Sequence, residues 1–187
     1  MYKESGDFIL KIESQEWLSE GNVDYDLCSH GQIYLSVNGT VITSSQMNEE
    51  WGISESALAL LRTLKNDYDS NPECEWGLIL HGCGLILMMG CPISIHWSVK
   101  HTETTVILSD FVKISTINLE TGSIYYSNLK IEIDKKEYKN QVLAFALTVK
   151  DFFANNPGKI IDDEYDREMY KEFWNEFNEL LKFAHSV

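Results

Sequence analysis

The sequence predicts an α+β protein with a mostly antiparallel sheet of seven to eight strands, one helix after the first hairpin, and two C-terminal helices packed on the sheet. Two observations carry this class. Up to Asp134 apolar residues mostly recur with period two or in short unbroken runs, separated by Gly, Asn, Pro and Thr, which is the pattern of strands and tight turns. After Asp134 the period changes to alternating steps of three and four and stays there, and strands followed by helices place the helices over a sheet. The 187 residues are read as one domain, with a β-rich part over 1–134 and a two-helix part over 135–187.

Each element has its own signal. Phe8, Leu10 and Ile12 alternate with Ile9, Lys11 and Glu13, a first strand with one apolar face. Gln32 to Thr43 holds two β-rich runs around Asn38-Gly39, the dipeptide that supplies the positive φ angles of a type I′ hairpin turn. Ser54 is positioned to cap a helix carrying Ala57, Leu58, Leu60 and Leu61 on one face, running to about Tyr68 and stopped by Asn71-Pro72. Leu85 to Met89 is apolar without alternation, as in a central strand covered on both faces. Ile93, Ile95, Trp97 and Val99 alternate with Ser94, His96, Ser98 and Lys100, predicting one buried and one polar face. Strands are expected over Thr105 to Ser109, Val112 to Ile117 and Ser123 to Ile133, the last with Leu129, Ile131 and Ile133 facing in. Tyr138, Val142, Phe145, Val149 and Phe152 then mark an amphipathic helix, ended by Asn155-Asn156-Pro157-Gly158, and a final helix starts near Asp163.

Charge excludes several functions. The 29 acids outnumber the 15 Lys and Arg, a net charge of -14, so direct binding to nucleic acid or to an anionic membrane is not expected. At 44% hydrophobic residues the chain is too apolar for a disordered acidic tail. The N-terminal stretch is too short in apolar residues for an export signal, and Trp76 to Cys91 is too short and too broken by glycine for a spanning helix. Cys28, Cys74, Cys83 and Cys91 are expected to be reduced thiols in a cytoplasm.

The acids are segregated. Between Ile160 and Leu180 stand Asp162, Asp163, Glu164, Asp166, Glu168, Glu172, Glu176 and Glu179, offset by Arg167 and Lys171 alone. On a helix, Glu164, Glu168, Glu172 and Glu176 form one stripe that Glu179 extends, and each like-charge neighbour pair costs roughly 0.2–0.5 kcal/mol. Glu13, Glu16, Glu20, Asp24 and Asp26, with Trp17 among them, form a second stretch without Lys or Arg. Such faces either keep a protein soluble or attract a basic partner, since complementary fields speed association and select against wrong partners. Metal ligation by His81 and Cys83, or a Cys28 or Cys83 nucleophile with His30, His81 or His96 as base, has weaker support, because ligand spacing is poor and phosphate-loop, hydrolase and metalloprotease motifs are absent. No metal, cofactor or catalytic residue is expected.

A strongly acidic α+β chain with these uncompensated acids, and with the runs CSHGQIYLSVNG and GISESALALLRTL, resembles bacterial immunity proteins of polymorphic or contact-dependent growth-inhibition toxin systems. That resemblance implies a cytoplasmic inhibitor, not an enzyme, that binds a basic toxin of nuclease type through Asp162, Asp163, Glu164, Glu168, Glu172, Glu176 and Glu179, with Glu13, Glu16, Trp17 and Glu20 as a second contact surface. The alternatives are a small hydrolase with a Cys/His or carboxylate site, or an acidic ligand-binding module.

Overall fold

The computed structural model describes residues 7–18, 23–71, 73, 77–82, 91–156 and 158–186. Its architecture is α+β, and the strands divide into two antiparallel sheets. In the first, β1 (Phe8–Ile12) lies beside β3 (Ile33–Val37), with Phe8 opposite Val37 and Leu10 opposite Leu35, and β4 (Thr40–Thr43) completes the hairpin. Asn38 and Gly39 take φ values of 49° and 77°, the doubly left-handed pair that a type I′ turn requires.

The second sheet has the order β10-β8-β7-β6-β5-β2, with β9 also on β8. Its strands are β2 (His30–Gly31), β5 (Trp51–Gly52), β6 (Ile79–Leu80), β7 (Ser94–His101), β8 (Thr105–Ile114), β9 (Ser123–Tyr126) and β10 (Ile131–Asp134). The two stretches expected before Ile117 are one strand, β8, in which Asp110 at φ 56° takes up an irregularity beside the β7 register shift. Residues 123–133 are two strands, because the chain turns at Tyr126, whose carbonyl accepts from Leu129 N–H at 2.9 Å.

Helix α1 (Ile53–Thr63) is shorter than its apolar pattern suggests, and Gly52, not Ser54, stands at its N-cap. The Ser54 hydroxyl is diverted inward, where it accepts from Ser29 N–H at 2.9 Å and donates to Glu55 Oε2 at 2.9 Å. The helix stops before Tyr68 because β6 covers only the first part of β7: Tyr68 pairs with the free backbone of Val99 through bonds of 2.9 and 2.8 Å, which needs extended chain. The same segment corrects the expectation for β7. Ser94, His96 and Ser98 do not face water; all are buried, as Ser98 Oγ accepts from Ser70 N–H at 3.0 Å and Ser94 pairs with His96 at 2.8 Å.

Helix α2 (Leu119–Gly122) is a single turn, whereas α3 (Lys135–Ala154) and α4 (Glu164–Ser186) are the two expected C-terminal helices. Asp134 caps α3 by accepting from Lys136 N–H at 2.7 Å, and Tyr138, Val142, Phe145 and Val149 bury the face foreseen from their spacing. Trp97 joins the layers, its ring centroid 6.3 Å from Phe8 of the small sheet and 5.8 Å from Phe111 of β8, while Phe8 also meets Tyr138 of α3 at 5.7 Å. Among the described residues no helix is long and apolar enough to cross a membrane. The strand expected at Leu85 to Met89 lies outside the described residues.

Candidate functional site

The final helix presents its acids as the spacing dictates. Glu164, Glu168, Glu172 and Glu179 are exposed, and among the described residues no cation stands within ion-pair distance of them. Glu176 differs, since Arg62 of α1 grips both its oxygens at 2.7 Å and holds its carboxyl below the usual range. Asp163 is used locally, its Oδ1 capping α4 by accepting from Tyr165 and Asp166 N–H groups at 2.9 and 3.2 Å, while Asp162 is exposed.

Two of the N-terminal acids, Asp24 and Asp26, are brought beside the start of α4 by backbone stitching. Ile160 N–H donates to Asp24 O at 2.8 Å and Lys159 Nζ to Val23 O at 2.7 Å, so residues 23–26 lie against the connection leading into α4. Trp17 is half-buried, its ring 4.8 Å from Phe153, which in turn lies 4.8 Å from Trp174 of α4. Lys159 sits over the Trp17 ring at 3.3 Å, and its ammonium is pulled below the usual lysine range by burial, opposed by Asp26 and Asp24. Glu16 keeps an exposed side chain while its backbone bridges to His30, and Glu13 Oε2 accepts from Ser45 N–H at 2.6 Å. Glu20 lies outside the described residues.

The runs CSHG and GISES dock on each other through β2 and β5, reinforced by Ile53 N–H donating to Ser29 O at 2.8 Å. Their junction holds a carboxyl that the sequence reading missed. Glu55 is only 5% exposed; its Oε2 accepts from Ser54, the Cys28 thiol is a further hydrogen-bond partner, and Oε1 has none. Burial pushes the Glu55 carboxyl up to about 7, the hydrogen bonds from Ser54 and Cys28 pulling less strongly the other way. One signal was available: Glu55 shares a helix stripe with Leu58, Ala59 and Arg62, an acid at the head of a half-apolar face. Those four residues, with Tyr68, Leu78 and Leu80, line a cleft of about 260 Å³ between α1, the 66–68 segment and the chain leading into β6.

The Cys/His pairings are placed as follows. Cys28 is 2% exposed and turned to Glu55. His30 is buried, its pKa lowered by desolvation, with Gly82 so close that a Cβ there would fall 2.0 Å from Nδ1. His81 Nδ1 stands 3.5 Å from Cys91 Sγ, and Cys83 and Cys74 lie outside the described residues. His96 is fully buried, and desolvation lowers its pKa to about 4, so at neutral pH it is an uncharged core imidazole. Among the described residues no group of three or more His, Cys, Asp or Glu is arranged to hold a metal ion. No protein-family model, curated protein or solved structure matches the chain.

Proposed function

We propose that this is a cytoplasmic immunity protein that binds and neutralises a basic toxin, of nuclease type, through the acidic face of α4 and the neighbouring 23–26 segment. One observation carries the reading: Glu164, Glu168, Glu172 and Glu179 stand exposed along one helix with no ion-pair partner among the described residues, although spreading them would relieve repulsion. A nuclease holds a positive groove for phosphates, and a row of carboxylates at helical spacing offers that groove an alternative anion. Asp24 and Asp26, drawn to the start of α4 through Ile160, widen the same field. The wild-type protein, used as bait in native bacterial lysate, is expected to retain a basic protein stoichiometrically, and to release it as salt rises. Retention of no basic protein overturns the reading.

A second reading, the small hydrolase, is favoured by Glu55, whose carboxyl near 7 is in the range where a side chain gives and takes protons at neutral pH. Against it, Cys28 behind Glu55 is sealed from solvent and His96 is closed in the core.

A further inference from the structure

We infer that the protein pairs with a second copy of itself edge to edge through β9, the two Tyr125 residues exchanging backbone hydrogen bonds about a two-fold axis. The free edge follows from the ladder. Ser115 N–H donates to Gly122 O at 2.9 Å, and the β8–β9 register runs on from that pair through Lys113 opposite Ile124 to Phe111 opposite Tyr126. Residues of an antiparallel strand turn their N–H and C=O groups alternately toward and away from the neighbour, so Ile124 and Tyr126 bond to β8 and Tyr125 points both groups outward. Among the described residues β9 pairs with β8 alone. Its sequence, Ser-Ile-Tyr-Tyr, carries neither the charge nor the proline with which exposed edges turn away another strand, and Ile124 and Tyr125 are 47% and 61% exposed.

Charge selects the second copy as the occupant. Copies of a chain with net charge -14 repel each other, but the segment from Phe111 to Ile131 holds a single acid, Glu120, against Lys113 and Lys130. Lys113 is buried on Glu49, which leaves Glu120 and Lys130, both exposed, five residues to either side of Tyr125. An antiparallel two-fold at Tyr125 turns the start of one β9 toward the end of the other, so Glu120 of each copy meets the end that carries Lys130 of its partner. A basic partner finds no such match, since this edge offers it one acid only. The same axis sets the two Tyr125 side chains side by side, as a directly opposed pair on one face of the joined sheet. None of this uses the α4 acids, so the contact stands or falls independently of the immunity reading.

Sedimentation equilibrium of the intact protein, at concentrations up to about 1 mM and in about 0.15 M salt to screen the long-range repulsion, should show a monomer–dimer equilibrium. Tyr125→Pro removes the outward N–H and leaves the bonds of Ile124 and Tyr126 to β8 in place, so it should weaken the dimer roughly tenfold or more through loss of both exchanged bonds. Glu120→Lys and Lys130→Glu should each weaken it roughly threefold or more, and the double variant, which restores opposite charges across the axis, should return to within about twofold of the wild type. These charge variants, on exposed side chains outside β9, keep the contact testable even if the proline variant folds poorly. A wild type that is monomeric throughout would overturn the second copy. A proline variant that dimerises as tightly as the wild type would overturn the edge, and a double variant no tighter than the singles would overturn the two-fold.

Discussion

Arg62 of α1 and Glu176 of α4 are joined by two parallel hydrogen bonds of 2.7 Å across 114 residues of sequence. The pair takes one acid out of the α4 stripe and fixes the helix against α1, so the remaining carboxylates are held at one orientation instead of being spent on internal pairing. Both side chains are above 40% exposed, which limits what the pair adds to stability. Arg62→Ala should therefore cost about 0.5–1 kcal/mol in chemical denaturation and should also free Glu176 to join the acidic face. A loss several times larger would mean that the pair is a main anchor of α4.

The hairpin turn is a second check. A Cβ at Gly39 meets nothing within 4 Å, so Gly39→Val has no steric clash, yet φ of 77° is strained for a β-branched residue. The substitution should destabilise the protein by about 1–2 kcal/mol. An unchanged denaturation midpoint would show that the turn tolerates another geometry.

Stability should respond to pH through Glu55 and, with opposite sign, through His96. Glu55 has its folded value raised from 4.5 to about 7, so the native state holds the proton more tightly and its contribution, full below 4.5, is lost as pH rises through 7. Glu55→Gln should match the wild type near pH 4 and exceed it by about 3 kcal/mol at pH 8. His96 has its folded value lowered from 6.5 to about 4, so its contribution is present above 6.5 and is lost as pH falls through 4. His96→Gln should remove that acid-side loss in thermal unfolding followed between pH 7 and 4. Parallel pH curves for wild type and variants would contradict both assignments.

The parts of the fold that local periodicity determines were legible in the sequence: β1, the Asn38-Gly39 hairpin, and the buried face of α3. The polar side of β7 was not, because Ser98 and His96 are covered by Ser70 and Tyr68 and Ser94 by Gly77, and that cover is a tertiary contact. The end of α1 was hidden for the same reason, since Tyr68 leaves the helix to pair with Val99. The acids of α4 were visible, but not the capture of Glu176 by Arg62 or the capping use of Asp163. Glu55 escaped notice because an acid in the first turn of a helix has an ordinary role beside the helix dipole; only the burial of Ser54, Glu55 and Ser56 against β2 and β6 gives it another.

The most direct test of the acidic face changes charge where no internal partner is lost. Glu164, Glu168 and Glu172, exposed and without an ion-pair partner among the described residues, are replaced by Lys together, leaving Glu176 on Arg62. Folding should be unchanged or slightly improved as like-charge repulsion is relieved. Association of the wild type with the basic protein it retains should slow as salt shortens the Debye length from about 10 Å at 0.1 M to about 3 Å at 1 M, and the variant should associate slowly at all salt concentrations and fail to protect cells expressing that toxin. A folded variant that associates at the wild-type rate and still protects would contradict the assignment of α4 as the recognition surface.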